Sequence, residues 1–512
     1  MLTGYTALAK ELKLRVPAPY TESWIAGAVR RSEVRADHAL ETYPKKQGHS
    51  GDLRAHLLFG LKHEPTDLGV LVAAFKQLGP DFVRTWVLDE PTGAYARKTW
   101  FLYEFLVGKN LDLPHARTGS YTDVLNPKFH IVSARRTSAR QRVWDNMLGV
   151  PGFSPTVRRT QKLLGRIAQK FDVEVAAMTR AVDPDLLRRA VRYLYTKETR
   201  STFEIEGEAA NPQREERFIA ALAGAATFEP TDKAALISLQ NTIVEPRYAA
   251  NDWRTTQNYF GQTAAGYREV VHLICPKPED VTGLMDGWTK LTVRALNDPM
   301  DSVVAAALVS FPFVFVHPFE DGNGRIHRFL MHNVLAKKSF SPDGVIFPIS
   351  VAIVRNPSAY DAALERFSRP LLSLIDWRLA DEQTPLQRLT VQGDTADLYR
   401  YFDATPQVEY LYDKVAETIR EDLAGELDFL GAYDRAYRAV RDVVDMPNKK
   451  VSLFLRLSMQ NNGRLPKGRR KLFAELTDTE IQAMEAAVRS AQKTYQEEKK
   501  VATGADSKGT SI

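Results

Sequence analysis

One twelve-residue run, His317-Pro318-Phe319-Glu320-Asp321-Gly322-Asn323-Gly324-Arg325-Ile326-His327-Arg328, concentrates more chemistry than any other part of the chain. Gly322, Asn323 and Gly324 are small or turn-forming and stand just before a new helix. Backbone N–H groups at such a start converge on an anion, and the helix dipole favours negative charge there. Arg325 and Arg328, three residues apart, occupy neighbouring positions of the first turn. Two guanidinium groups beside an anion cradle suit a polyphosphate better than a lone phosphate. Asp321, at the edge of the cradle, offers the hard oxygen that magnesium takes alongside substrate oxygens and water. His317 supplies the side chain best suited to accept a proton near neutral pH. Base, metal ligand, anion cradle and two cationic clamps together point to phosphoryl-group chemistry. His327 and His332 are five residues apart, share no helix face and read as ordinary helix residues rather than metal ligands.

The elements that must hold this run can be read on either side of it. An apolar helix from Val303 to Val316 leads straight into it, and Ile326, Phe329, Leu330 and Val334 mark one face of the helix that follows. Further upstream, Asp183-Pro184 gives an N-cap and a first-turn proline. Leu186, Leu187, Ala190, Val191 and Leu194 form the apolar stripe of a helix that runs to Glu206, where Gly207 can stop it. Between these helices, residues 254–275 read as a β-hairpin. Gly261 and Gly266 bracket a polar turn, and the strand-like run from Glu269 to Cys275 is closed by Pro276 and Pro278.

The flanks read as mainly helical. Leu57, Leu58, Leu61, Leu68, Leu71, Val72 and Phe75 recur at helical spacing, Ala94 to Val107 is an aromatic-rich core helix, and Pro114 to Pro127 is loop. A capping box, Thr477 to Glu480, opens the last helix. The spacing divides the chain into an N-terminal helical domain (1–145), a central catalytic domain (146–380), a C-terminal helical domain (381–495) and a disordered tail (496–512).

Composition narrows the class. The 512 residues suffice for two to four domains, and 44% hydrophobic with 26% charged residues is ordinary for a soluble globular protein. A net charge of +6 permits a nucleic-acid partner without arguing for one. Cys275 is the only cysteine, which excludes intrachain disulfides and multi-cysteine zinc sites and suits a reducing, cytoplasmic setting. No stretch approaches the roughly 18 apolar residues of a membrane span, and no leader is evident. The basic cluster Arg464, Lys467, Arg469, Arg470 and Lys471 reads as a solvated loop, since neither a recognition helix nor interleaved aromatics accompany it. No nucleic-acid or membrane partner is therefore expected.

The twelve-residue run resembles the signature of the Fic family, HPFx[D/E]GNGRxxR, at every specified position. The resemblance covers roughly residues 185–380 and implies a mainly α fold, a helical core with a β-hairpin flap, between helical flanking domains. It also implies roles. His317 would be the general base that activates a target hydroxyl, and Asp321 would hold Mg²⁺. Gly322, Asn323 and Gly324 would cradle the α- and β-phosphates, Arg325 would stabilise the leaving pyrophosphate, and Arg328 would bind the γ-phosphate. The related Doc toxins, which phosphorylate, carry a lysine where Gly324 stands, so the glycine favours AMP transfer from ATP. Thr202-Phe-Glu-Ile-Glu206-Gly207 resembles the family's inhibitory motif, [S/T]xxxE[G/N], in the arrangement called class II; Glu206 would pair with Arg328 and withhold it from the γ-phosphate. The hairpin starting at Arg254 resembles the flap on which a target segment adds as a strand. Pro348, Ser350 and Tyr360 resemble positions near the adenine pocket. Segments around Tyr95 to Val107, Tyr399 to Thr405 and Asn461 to Glu480 are similar to those of long bacterial Fic proteins.

The implied activity is an autoinhibited, Mg-dependent protein adenylyltransferase that modifies a Ser, Thr or Tyr hydroxyl, with self-modification and a homo-oligomer both compatible. Three alternatives stay open: Glu206-dependent removal of AMP, a different nucleotide donor, and a regulatory or DNA-binding module.

Overall fold

The apolar helix expected before the His317 run exists as Ser302–Val316, and every residue from Val303 to Val316 is buried. A helix apolar on all sides has no solvent face and must sit inside a core. Asp301 starts it by accepting from the N–H groups of Val303 and Val304, both at 3.0 Å. It packs between the Pro278–Asn297 and Asn323–Lys337 helices, and Trp288 Nε1 donates to the Val309 carbonyl at 2.8 Å. In this computed structural model, Ala36, Ala209, Ala210 and residues 264–268, 380–388 and 505–512 lie outside the described residues.

The molecule is mainly α-helical, as expected. The hairpin is present as antiparallel strands Tyr259–Thr263 and Glu269–Ile274, with an irregularity in register at Phe260/Gly261. Gly266, expected in its turn, lies outside the described residues. The upstream helix runs Pro184–Ile205, and Gly207 follows at φ +69°, a left-handed conformation that glycine adopts without a Cβ penalty.

By contacts the chain divides into two compact units, residues 1–173 with 195–416, and residues 174–194 with 417–512. Within the first unit, the Leu53–His63, Leu68–Asp89 and Ala94–Val107 helices enclose a core that includes Leu57, Leu71, Phe75, Trp86 and Trp100. Helical periodicity finds these helices but passes over two small sheets beside them. One has strand order Leu2–Thr3, Thr21–Ile25, Ala39–Tyr43, Arg31–Val34, with the central pair parallel. The other joins Thr122–Asp123, Val143–Asp145 and Arg136–Ser138. Their strands are two to five residues long, too short to show a sustained period-2 pattern. The loop read at Pro114 to Pro127 thus contains one of them, Thr122–Asp123.

The second unit packs the Ala424–Val443, Asn448–Met459 and Asp478–Gly504 helices around Val440, Phe454, Leu455, Phe473, Met484 and Val488. The capping box is reciprocal: Glu480 N donates to Thr477 Oγ1 at 3.2 Å, and Thr477 N donates to Glu480 Oε2 at 2.7 Å. Residues 505–512 of the tail lie outside the described residues. Among the described residues no helix is long and apolar enough to cross a membrane.

Candidate active site

His317 stands directly after the buried helix, with φ 53° and ψ 61°. The left-handed region is costly for a residue with a Cβ, so its surroundings must over-determine it. Arg254, at the base of the hairpin, does so. Its Nε donates to the His317 carbonyl at 2.7 Å, its Nη2 to the Pro276 carbonyl at 2.6 Å, and its own N–H to the Pro318 carbonyl at 2.7 Å. One buried arginine thereby ties the hairpin to the backbone of the loop.

The His317 ring is buried, and Nδ1 lies 3.2 Å from the Val314 carbonyl. A carbonyl accepts only from N–H, so the neutral ring carries its proton on Nδ1 and its lone pair on Nε2. Burial first, then the nearby Arg254 charge, pushes the imidazole down to about 3, so it is neutral at physiological pH. Phe260 of the hairpin meets the ring edge-to-face at 4.5 Å.

The loop beyond is shaped from within. Asn323 Oδ1 accepts from Phe319 N at 2.9 Å, and its Nδ2 donates to the Phe319 carbonyl at 2.8 Å. That side chain closes the loop on itself, so what Asn323 offers an anion is its backbone N–H. Gly322 has φ +89°, and a Cβ there would lie 2.8 Å from Val244 Cγ1. The Asn323–Lys337 helix begins here, and its first N–H groups have no intrahelical acceptor.

Both arginines of the run are buried and held by carboxylates. Arg328 donates from Nε to Thr202 Oγ1 at 2.5 Å, and from Nη2 to the Thr202 carbonyl at 2.9 Å and Glu206 Oε1 at 2.6 Å. Arg325 donates from Nη1 to Glu208 Oε2 at 3.0 Å and from Nη2 to Asp321 Oδ1 at 2.9 Å. Glu206 Oε1 sits so close to Gly324 that a Cβ at that glycine would lie 2.3 Å from it. The carboxylate therefore lies against the start of the Asn323–Lys337 helix. Tyr360 is buried within the electrostatic reach of Arg328 and Glu206, and burial raises its hydroxyl to about 12. Its ring lies 6.1 Å from that of His327, whose Nδ1 is 2.8 Å from the Ser310 carbonyl.

Four contributors were not singled out from the sequence. Arg254 was read only as the start of the hairpin. Glu208 and Arg214 form a second latch: Arg214 Nη2 donates to Glu208 Oε2 at 2.9 Å, on the same oxygen that receives Arg325. Glu198, 1% exposed, pairs with His332 Nε2 at 2.9 Å and accepts from Ser350 N at 2.8 Å and Ser350 Oγ at 2.6 Å. Its signal was present, because Glu198, Thr202 and Glu206 follow one another at intervals of four along one helix face.

Asp321 is the residue at hand for a divalent cation. Its side chain is 37% exposed, and its contacts with Arg325 and Gly322 N both fall on Oδ1. Among the described residues no group of three or more His, Cys, Asp or Glu could hold a metal by itself. One carboxylate suits magnesium, which completes its shell with phosphate oxygens and water, so the donor set fits that ion only together with a nucleotide. A separate cavity of about 690 Å³, lined by Tyr20, Asp67, His130 and Arg158 among others, shares no residue with this loop.

A protein adenylyltransferase Fic of Nematostella vectensis is 34% identical over 67 residues, 13% of this chain and 16% of that protein. The protein adenylyltransferase fic-1 of Caenorhabditis elegans is 32% identical over 151 residues, 30% of this chain and 24% of that protein. The chain thus spans between a sixth and a quarter of the length of these relatives. A crystal structure of a Fic family protein from Desulfovibrio desulfuricans overlays with a TM-score of 0.36 at 18% identity, covering 56% of this chain and 82% of that one. The family model described as Fic/DOC matches residues 230–335, a span that includes the hairpin and the whole His317–Arg328 run. The chain therefore carries a Fic/DOC domain.

Proposed function

We propose that the chain is a protein adenylyltransferase that moves AMP from ATP to a hydroxyl of a protein, and that it is held inactive by Glu206. The observation that carries this reading is the Arg328 side chain, bound at once to Thr202 and Glu206 beside an anion-cradling helix start. The names of the two relatives, both protein adenylyltransferases, point the same way.

In the proposed reaction His317 Nε2 takes the proton of the target hydroxyl. The hydroxyl oxygen bonds to the α-phosphorus, the bond from that phosphorus to the bridging oxygen breaks, and pyrophosphate leaves. Backbone N–H groups of Gly322, Asn323 and Gly324 receive the phosphate oxygens, and Arg325 and Arg328 bind the departing pyrophosphate. Asp321 would hold magnesium, which when bound neutralises charge on the phosphates. The Tyr259–Thr263 strand would offer its edge to the target segment.

The inhibited state follows from competition. Each arginine is charge-paired before nucleotide arrives, Arg328 with Glu206 and Arg325 with Glu208. If the Glu206 pair favours the closed arrangement by about 3 kcal/mol, under about 1% of molecules bind ATP productively. Releasing Glu208 by Glu208→Gln is expected to raise the basal rate by less than releasing Glu206, because Asp321 still holds Arg325.

Incubating the Glu206→Gly variant with ATP labelled at the α or the γ position tests the reaction type. Protein-bound α-label that vanishes in a His317→Ala background is the expected result. Protein-bound γ-label would mean kinase chemistry instead, and release of AMP from a pre-modified target that depends on Glu206 would favour hydrolysis.

A further inference from the structure

The second unit carries a charge pattern and a groove that adenylyl transfer does not use. Between Met446 and Ala474 the sequence has eight lysines and arginines and no aspartate or glutamate. Two of the eight are paired, Lys450 with Glu475 and Arg470 with Asp478. Lys449, Arg456, Arg464, Lys467, Arg469 and Lys471 are exposed and make no ion pair among the described residues. Exposed cations crowded without counter-charges repel one another, and an anionic partner relieves that repulsion.

Beside two of these cations lies a groove of about 660 Å³ with two unlike walls. The Ala424–Val443 helix contributes Phe429 and Tyr433; the Asn448–Met459 helix contributes Lys449, Ser452 and Arg456. Phe429, Tyr433 and Tyr437 recur every four residues and so lie along one helix face. Successive ring centroids are 6.4 Å and 6.3 Å apart with interplanar angles of 36° and 31°. Phe429 is 51% exposed, a large apolar ring presented to solvent. Tyr437 Oη donates to Asn448 Oδ1 at 2.8 Å, which fixes the start of the cationic helix against the aromatic one.

We propose that this groove binds single-stranded nucleic acid, with bases stacking on Phe429 and Tyr433 and phosphates meeting Lys449 and Arg456. The pairing of walls selects this partner. Aromatic plates beside a positively charged track are how a protein holds unpaired bases without reading their sequence. A duplex keeps its base faces covered and would leave the rings unused. An acidic peptide would meet the cations and also leave the rings unused. Phe429 and Lys449 are about twenty residues apart in the sequence, and the fold brings Phe429, Tyr433, Lys449 and Arg456 to one groove.

The test is fluorescence anisotropy on the full chain with a labelled oligothymidylate, in parallel with a duplex of the same length and with polyglutamate. The expected result is saturable binding of the single strand that weakens steeply as salt rises. Phe429→Ala is expected to weaken it about tenfold with an unchanged salt slope, while Phe429→Trp retains it. Lys449→Glu with Arg456→Glu is expected to abolish binding, whereas His317→Ala and saturating ATP leave it unchanged. The proposal is overturned if the wild type shows no saturable binding at low salt. It is equally overturned if duplex or polyglutamate binds as tightly, or if Phe429→Ala binds as the wild type does.

Discussion

Arg328 makes three donor contacts to the Pro184–Ile205 helix and its end, and each has a separable consequence. Removing the hydroxyl in Thr202→Ala deletes the Nε contact and leaves the Glu206 pair. A hydrogen bond to a charged group is worth about 1.5–3 kcal/mol, so basal self-labelling is expected to rise roughly tenfold to hundredfold. An unchanged rate would remove Thr202 from the proposed inhibitory contacts. His317 gives a second prediction at this scale. With its ring held down at about 3 by burial and Arg254, it stays neutral well below the ordinary histidine range. The acid limb of kcat/KM in the Glu206→Gly variant should therefore show no break near about 6.5, the usual histidine value. A break there, matched by an NMR titration of the His317 ring at the same pH, would contradict the geometry.

At the scale of elements, the Pro184–Ile205 helix is fastened at Glu198 as well as at Glu206. Glu198 is buried against His332 and the N–H and hydroxyl of Ser350, so it anchors the helix to the Asn323–Lys337 and Ile349–Arg355 helices. Breaking a buried pair by removing one partner costs about 3–5 kcal/mol. Glu198→Ala is expected to raise hydrogen exchange across residues 195–206 and to raise self-labelling, although Glu198 touches no residue of the nucleotide cradle. Unchanged exchange in that helix would show that Glu206 alone holds it. This fastening explains what the sequence made legible and what it did not. The loop was readable because its residues are consecutive, so type and spacing define the chemistry. Glu208 and Arg254 act through contacts with segments far along the chain, Arg325 and the His317 carbonyl, which no local pattern announces, whereas the four-residue spacing of Glu198, Thr202 and Glu206 is legible. Asn323 shows the converse. Its place in the run suggests a phosphate contact, yet its side chain is spent on Phe319.

For the molecule as a whole, buried titratable groups set how stability responds to acid. His63, His130, His317 and His327 are held down at about 4, about 4, about 3 and about 3, chiefly by burial. Each contributes stability that is present above the unfolded histidine value and lost as pH falls toward the folded one. Glu64 and Asp67, raised by burial to about 7 and about 6, act in the opposite sense, since the folded state holds their protons more tightly. Four losses against two gains leave a net uptake of protons on unfolding, so stability should fall between about pH 6 and about pH 5. Denaturant titrations at the two pH values check this, and a rise in stability would refute the balance.

The proposed inhibition turns on whether Glu206 keeps Arg328 from the nucleotide. The most direct measurement compares the initial rate of protein-bound α-label from ATP in the wild type, in Glu206→Gly, and in Glu206→Gly with Arg328→Ala. Freeing the arginine should raise the rate by at least about tenfold, which is about 1.4 kcal/mol, and deleting it should return the rate to the wild-type level or below. Equal rates in the wild type and Glu206→Gly, or a gain that survives the loss of Arg328, would contradict it.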